Sequence, residues 1–390
     1  MKNPLILFFV LTLILLSSCK KENTEPHYNA AYNNYENTFG GSQDDIANST
    51  IIENNDLYIF GTTKSFGDLS GDHYLIKLNT YGNVIFEKTY GGIAEEEGID
   101  IISTNDGNFI LIGSTQSSGA GQKDIHVIKI DAQGNQIWEN TFGGALDDTP
   151  ADIIETSNSE FCIVGTTESF GAGSRDIYLI WLDQNGNLIR QKTYGDTDID
   201  GGSELLEIEN QEIMLYGYTK NYGAQDRDLY LLKTNSIGDS LWSQKYGGAN
   251  YEESQSFSRT QSGGYLLCGH SSSLEPNHSM YGLKLDTNGN YIWDIHYGGP
   301  QHDGGQALLI NKEGNYVFIG RTMSYGAGMR DAMMVIINPS GQVLSSYFFG
   351  STQNDRIDDI IEYQDYYYMV GQTNSFSGGD NDVYLIKQHK

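Results

Sequence analysis

The sequence predicts an all-β protein, a single seven-bladed β-propeller built from four-stranded antiparallel blades. Three observations predict this fold. An aromatic–glycine pair returns about every 52 residues, apolar β-branched runs alternate with turn signals, and a strand missing at one end of the chain is present at the other. Repetition of one supersecondary unit is typical of ring and solenoid architectures. The 390 residues are therefore expected to form one repeat domain rather than the two or three that length alone suggests.

The aromatic–glycine pair marks the seven units, which start near residues 39, 90, 142, 194, 246, 297 and 349. The aromatic residues are Phe39, Tyr90, Phe142, Tyr194, Tyr246, Tyr297 and Phe349. Each is followed by an acidic loop and then by four apolar runs separated by turns and a Gly-rich loop. Runs of four to eight Ile, Val, Tyr and Leu residues bounded by Gly and Asn indicate strands. Four antiparallel strands repeated seven times describe a β-propeller.

The two ends of the chain predict how the ring closes. The seventh unit stops at its third strand, 383–387, and lacks a fourth. Residues 35–41, Tyr-Glu-Asn-Thr-Phe-Gly-Gly, match residues 138–144, Trp-Glu-Asn-Thr-Phe-Gly-Gly, which include a fourth strand. We expect the N-terminal strand to pair with the last three strands, because this pairing leaves no exposed sheet edge.

The repeated motifs also carry a resemblance. They read Tyr-Gly-Gly-x-x-acid-acid, Gly-x-Thr-x-Ser and Asp-x-Tyr-Leu-Ile-Lys-x-(Asp/Asn)-x-x-Gly-(Asn/Asp). Over residues 35–390 the chain resembles the bacterial seven-bladed β-propeller repeat family, whose members are often secreted or surface proteins. The resemblance implies the fold and implies no particular reaction.

The first 18 residues predict export. Lys2 precedes an apolar run over 5–16 that is too short to span a hydrocarbon core of about 30 Å, which is typical of a signal peptide over 1–18. Residues 16–19, Leu-Ser-Ser-Cys, resemble the lipobox of bacterial lipoproteins, which implies acylation (palmitate-type chains) and membrane anchoring at Cys19. A secretory signal with a chance cysteine is the alternative.

The resemblance to lipoproteins also implies an address. Lys20, where inner-membrane retention usually has Asp, favours the outer membrane, and the periplasmic and cell-surface sides both stay open. Residues 19–32 are polar and are expected to form a tether before a propeller over 33–390. Cys162 and Cys268 lie in apolar runs of units that are not neighbours, so we predict buried free thiols rather than a disulfide, although the compartment is oxidising.

Acidic side chains dominate the charge and recur in register. The net charge of -28 argues against nucleic acid as a partner. The sixth residue after each aromatic is acidic: Asp45, Glu96, Asp148, Asp200, Glu252, Asp303 and Asp355. These acids either form an exposed rim that concentrates cations or a basic partner, or fix the turns by accepting backbone N–H groups. Because the position repeats in every unit, we favour the structural role.

Two irregular places offer candidate sites on the same loop face. Unit four carries Asp196, Asp198, Asp200 and Glu207, which fit the Asp-x-Asp-x-Asp-Gly-x5-Glu calcium-loop pattern. Against calcium, no helices flank this loop and Glu207 is expected at the far end of a strand. His278 and His302 lie in neighbouring loops of units five and six, where we expect a ligand or a weak metal site.

A further set of acids is expected inside the ring. Asp100, Asp152, Glu204 and Asp359 occupy one equivalent position near the start of the first strand of their units. Lining the central channel, they would hold a cation, transfer a proton through raised pKa values, or be solvated by channel water. We favour solvation.

Together these patterns predict a binding protein rather than an enzyme. The sequence has no His-Glu-x-x-His, Gly-x-Ser-x-Gly or Cys-x-x-Cys motif. We predict a monomeric, lipid-anchored envelope propeller that binds a protein or glycan partner through its acidic, Gly-rich loop face. Calcium is the one cofactor that the sequence suggests. One alternative is an enzyme that acts on a polysaccharide or a small periplasmic substrate with its channel carboxylates. Another is a structural subunit of an envelope complex.

Overall fold

The chain folds as a ring of seven four-stranded antiparallel sheets, which confirms the predicted fold class. The structure is a computed structural model that describes residues 34–220, 226–248, 250–273, 278–376 and 380–390. Within these ranges it has 28 strands and one short 3₁₀ turn, Glu209–Gln211. The proposed signal peptide, Cys19 and the tether lie outside the described residues. No helix in the described ranges has the length and apolar character needed to cross a membrane.

The strands follow the chain around the ring, and each of the first six blades uses four consecutive strands, A to D. Blade 1 has β2 (Asp45–Glu53), β3 (Asp56–Thr63), β4 (Asp72–Asn79) and β5 (Val84–Tyr90). Blade 2 has β6 (Glu96–Ser103), β7 (Phe109–Thr115), β8 (Asp124–Ile130) and β9 (Gln136–Phe142). Blade 3 has β10 (Asp148–Glu155), β11 (Phe161–Thr167), β12 (Asp176–Leu182) and β13 (Leu188–Tyr194). Blade 4 has β14 (Asp200–Glu207), β15 (Ile213–Thr219), β16 (Asp228–Thr234) and β17 (Ser240–Tyr246). Blade 5 has β18 (Glu252–Arg259), β19 (Tyr265–Ser271), β20 (Ser279–Leu285) and β21 (Tyr291–Tyr297). Blade 6 has β22 (Asp303–Ile310), β23 (Tyr316–Thr322), β24 (Asp331–Ile337) and β25 (Val343–Phe349).

Blade 7 joins the two ends of the chain. It consists of β26 (Asp355–Tyr363), β27 (Tyr366–Thr373), β28 (Asp382–His389) and β1 (Tyr35–Phe39). β1 runs antiparallel to β28, in a register that pairs Tyr35 with Lys387 and Phe39 with Val383. The Tyr384 hydroxyl also donates a hydrogen bond to the Glu36 carboxylate. The ring therefore closes through the N-terminal strand as predicted.

The core lies between neighbouring blades. Strands B and C carry the most buried side chains, and apolar clusters join one blade to the next, as where Ile112 and Val127 of blade 2 meet Ile163 and Ile180 of blade 3. Both described cysteines are buried and free, which confirms that part of the prediction. Every blade thus depends on its neighbours for burial, as expected of a repeat that cannot form a core alone.

A β-bulge recurs near the start of strand A in all seven blades. In blade 2 the register shifts between Gly98 and Asp100, and the other six strands A shift at the equivalent place. The residue after each bulge lines a cavity of about 490 Å³ bounded by strand A of every blade, which is the central channel. These seven residues are Ser49, Asp100, Asp152, Glu204, Ser256, Ala307 and Asp359.

Candidate functional site

The seven repeated acids at the start of strand A are structural parts of the blades. All are buried, and none is more than 2% exposed. Each accepts a hydrogen bond from a backbone N–H of the preceding aromatic–glycine loop, at 2.6–3.1 Å. In blade 1 the Gly41 N–H and the hydroxyls of Thr63 and Ser65 donate to Asp45. These carboxylates therefore fix the turns, as the favoured interpretation expected, and do not form an exposed rim.

Their geometry also explains why glycine follows the aromatic residue. Asp72, at the start of strand C, and Glu96, in the next blade, approach the same backbone from two sides. A Cβ atom on Gly91 would lie 2.3 Å from Asp72 Oδ1 and 2.5 Å from Glu96 Oε2. No side chain fits between the two carboxylates, so this position requires glycine.

The structure contradicts the calcium-loop interpretation of unit four. Asp200 and Glu207 are the first and last residues of β14, which places them about 20 Å apart in an extended strand. Glu207 instead accepts hydrogen bonds from the Ser157 N–H and hydroxyl of blade 3, at 2.6 and 2.7 Å. Asp196 and Asp198 are exposed, whereas Asp200 is buried. The described ranges contain no group of three or more His, Cys, Asp or Glu side chains arranged to hold a metal ion.

The four predicted channel acids do line the channel, and each joins two neighbouring blades. The Leu205 N–H donates to Asp152 at 2.8 Å, the Phe257 N–H to Glu204 at 2.6 Å, and the Thr50 N–H to Asp359 at 2.7 Å. In each pair the N–H belongs to strand A of the next blade. Ser49 donates to Asp100 at 2.6 Å across the first interface. The carboxylates thus help to hold the inner strands together.

Enclosure in the channel changes how these acids titrate. Burial, and next the neighbouring Asp100 and Glu204, raise the pKa of Asp152 well above its ordinary value. Burial also raises the pKa of Glu204 to about 8 and that of Asp359 to about 7, with Asp100 adding to both shifts. At neutral pH the protonated form of Glu204 is therefore favoured, because burial and the neighbouring carboxylates Asp100 and Asp359 oppose its ionisation.

A second cavity, of about 600 Å³, opens on the loop face at blades 4 to 6 and contains the histidine patch expected from the sequence. The rings of His278 and His302 lie 5.2 Å apart, and Tyr251 packs edge-on against His278 at 5.6 Å. The cavity, called here the loop-face pocket, is lined by Asp226, Tyr251, Glu253, His270, His278, His302, Asp303, Arg321, Met323 and Arg330. Its size lies within the roughly 300–1,000 Å³ of small-molecule sites.

The pocket is built from positions where the blades differ. The residue before each strand-A acid is Asp44, Glu95 and Asp147 in blades 1 to 3, but Tyr251 and His302 in blades 5 and 6. The next-to-last residue of strand B is small or hydroxylated in blades 1 to 3. In blades 5 and 6 the same position carries His270 and Arg321.

Glycine in blade 6 makes room for His270. A Cβ atom on Gly304 would lie 2.0 Å from His270 Nε2, so the imidazole occupies the space that a side chain would fill at this position. His270 is buried, and neither ring nitrogen has a hydrogen-bond partner among the described residues. Burial, and next the charge of Arg321, lower its pKa to about 3. The ring is therefore neutral and presents one donor and one acceptor.

Sequence reasoning placed His278 and His302 together but missed the arginines. Arg321 and Arg330 line the same pocket, and burial, followed by the charges of Arg330 and Arg356, lowers the pKa of Arg321. The sequence did contain a signal, because Arg321 occupies a strand-B position that carries a small or hydroxylated residue in the first blades. Recognising it required aligning the repeats by strand register rather than by motif.

Comparison with known proteins shows the fold alone. No family model matches the chain, and no curated protein matches it. Among solved structures, the WD40 domain of Neurospora crassa Pan2 is similar at 13% identity and a TM-score of 0.52, over 89% of each chain. The polysaccharide lyase Uly1 is similar at 11% identity and a TM-score of 0.55, over 90% of this chain and 91% of that one.

A third similar structure differs in how its ring is joined. The β-propeller domain of the Trilobed protease from Pyrococcus furiosus has an open velcro topology and matches at 11% identity and a TM-score of 0.51. The match covers 90% of this chain and 96% of that one. In the present chain β1 completes the sheet of β26–β28. At identities this low, likeness carries no activity from any of the three proteins to this one.

Proposed function

We propose that this chain is a lipid-anchored cell-envelope propeller that binds a glycan or protein partner at the loop-face pocket, without catalysis. One observation carries the proposal: the repeated acids are used inside the blades, whereas the side chains that break the repeat meet in one accessible pocket. Binding sites on repeat proteins lie where units vary on a shared scaffold. The anchor rests on the Leu-Ser-Ser-Cys segment at 16–19.

The pocket has the features that a binding site needs. Tyr251, His278 and His302 offer flat rings for stacking, and carboxylates and guanidinium groups lie around them. His302 is exposed and His278 half-buried, so both are within reach of a ligand. A few polar groups converging beside aromatic surface are typical of ligand sites.

Matched variants test the proposal. The full-length chain is used to capture partners from detergent-solubilised envelope as wild type, as Tyr251→Ala/His302→Ala, and as Glu95→Ala/Asp147→Ala, which changes the equivalent positions of blades 2 and 3. We expect the first pair to abolish capture and the second to retain it. Loss of capture only in the second pair would place binding on the acidic blades and reject the proposal.

The channel supports a second candidate, an enzyme that uses carboxylates for proton transfer. Its specific support is the raised pKa of Glu204, about 8, and of Asp359, about 7, which suits general acid–base chemistry near neutral pH. Against it, each of these carboxylates accepts a backbone N–H of the next blade, so both already have a structural role. Binding therefore remains the first proposal.

A further inference from the structure

Arg330 of the loop-face pocket differs from the cations at the equivalent position of blades 2 and 3. The residue before strand C is Lys123 in blade 2, Arg175 in blade 3, Arg227 in blade 4 and Arg330 in blade 6. The Arg227 guanidinium lies over the rings of Tyr218 and Tyr251, at 4.5 and 5.6 Å from their centroids. Lys123 Nζ lies 2.9 Å from Glu97 Oε2, and Arg175 Nη2 lies 2.6 Å from Glu168 Oε1. Blades 2 and 3 thus neutralise this cation with their own acids.

Arg330 and Arg321 have no acid within salt-bridge distance among the described residues, although the charges of Asp358 and Glu253 partly offset the lowering of the Arg321 pKa. Among the residues that the structure describes, neither guanidinium forms a salt bridge or a hydrogen bond, and Arg330 Nε is buried without a partner. The nearby Arg356 is different, because its Nε lies 2.8 Å from Asp358 Oδ1. Two guanidinium groups that have no ion-pair partner among the described residues repel each other in this partly enclosed pocket, and an anion between them would relieve that repulsion.

This pair is all the more unusual in a chain with 51 acidic and 23 basic side chains. The molecule as a whole repels anions, so an anion bound here would be held by direct contact rather than by long-range attraction. Guanidinium groups bind carboxylates through paired, charge-assisted hydrogen bonds.

The rest of the lining narrows the ligand class. Asp226 and Glu253 also face the pocket and would repel a compact anion that carries more than one charge on a single group, such as sulfate. The same carboxylates accept hydrogen bonds from hydroxyl groups. Tyr251 and His278 supply rings against which a flat apolar face stacks. A sugar ring with one carboxylate and several hydroxyls meets all these groups at once.

We propose, on the basis of the binding function above, that the loop-face pocket recognises a carboxylate-bearing sugar residue of a glycan, with Arg321 and Arg330 on its carboxylate. The sugar hydroxyls then meet Asp226 and Glu253, and the ring packs beside Tyr251 and His278. An acidic peptide would supply the carboxylate without the hydroxyls, and inorganic sulfate would supply only the charge.

Titration calorimetry of the full-length protein tests this proposal with tetragalacturonic acid as the probe. We expect binding to wild type that weakens with added NaCl, and no binding of neutral maltotetraose. Arg321→Gln and Arg330→Gln should each weaken binding by about tenfold or more, since each removes a charged contact. Lys123→Gln, at the equivalent salt-bridged position of blade 2, should bind like wild type. Arg321→Lys should recover part of the affinity, and unchanged thermal unfolding shows that each variant is folded.

Other results would overturn the proposal. These are no heat with tetragalacturonic acid, equal binding of maltotetraose, equal binding of tetraglutamate or sulfate, and glutamine variants that bind as wild type. If tetragalacturonic acid fails while Tyr251→Ala/His302→Ala still abolishes partner capture, the pocket binds a different ligand and only the carboxylate-sugar inference falls.

Discussion

Replacing Asp45 by alanine tests whether the repeated acids hold the blades together. Asp45 is fully buried and accepts hydrogen bonds from the Gly41 N–H and from the hydroxyls of Thr63 and Ser65. Alanine leaves these three donors without their acceptor. It also removes one of two carboxylates that converge on Gly40, since a Cβ there would lie 2.4 Å from Asp382 Oδ1 and 2.6 Å from Asp45 Oδ2.

The magnitude follows from these contacts. A hydrogen bond to a charged group contributes about 1.5–3 kcal/mol, and such contributions within one cluster are not additive. Ser65 lies in a loop and can turn to water, and relief of repulsion with Asp382 offsets part of the loss. We therefore expect the free energy of unfolding to fall by about 3 kcal/mol. With an unfolding entropy of about 2.1 cal/mol/K per residue over roughly 350 residues, Tm falls by about 4 °C.

The assay is urea unfolding followed by tryptophan fluorescence, with Asp365→Ala as the matched control. Asp365 is exposed, so its replacement removes the same charge without removing a buried acceptor. We expect the control to change stability by less than about 0.5 kcal/mol. If Asp45→Ala were as stable as wild type, or more stable at low salt, the acids would act as a repelling rim and the structural account would be wrong.

The remaining predictions concern the channel, the closure and the anchor. Because the pKa of Glu204 is raised to about 8, the folded state binds a proton that the unfolded state releases near pH 4.5. The stabilising contribution of protonated Glu204 is therefore present below about pH 4.5 and is lost as the pH rises through 8. Glu204→Gln should flatten this slope, by up to about 1.4 kcal/mol per pH unit, in unfolding measured from pH 5 to 9. Asp100→Asn/Asp152→Asn should leave partner capture intact if the protein is a binder, whereas lost turnover of a substrate would favour the enzyme. Deleting 34–39 should destabilise the ring by at least about 4 kcal/mol, because Tyr35 and Phe39 leave the core, and an unchanged melting temperature would refute closure by β1. Cys19→Ser should release the protein from membranes in fractionation, and retention would argue against the anchor.

The fold was predictable because the sequence repeats the same order of strand and turn signals in seven units. A single Asn-Gly turn or apolar run is a weak signal, but the same order of signals in every unit fixes four strands per blade. The closing strand was predictable for the same reason, since residues 35–41 match a fourth strand inside the chain. Repetition also indicated correctly that the acids of strand A are structural.

The candidate site was predictable only in part, because it depends on differences between units. Glu207 fitted a calcium pattern by spacing, but β14 carries it to the opposite end of the blade from Asp200. Arg321 and Arg330 line the same pocket because of the strand register and the loop conformation within one blade. Lys123 forms a salt bridge with an acid, whereas Arg330 has none within the ranges that the structure describes, and this difference depends on three-dimensional packing that no motif records.

Hydrogen–deuterium exchange of the full-length protein, with and without its captured partner, tests the central claim most directly. The claim is that binding occurs where the repeat is broken and not at the repeated acids. We predict partner-dependent protection of the backbone around Tyr251, His302 and Arg330, with no change in the equivalent loops of blades 1 to 3. Protection confined to the loops around Asp44, Glu95 and Asp147, with blades 5 and 6 unchanged, would contradict the account.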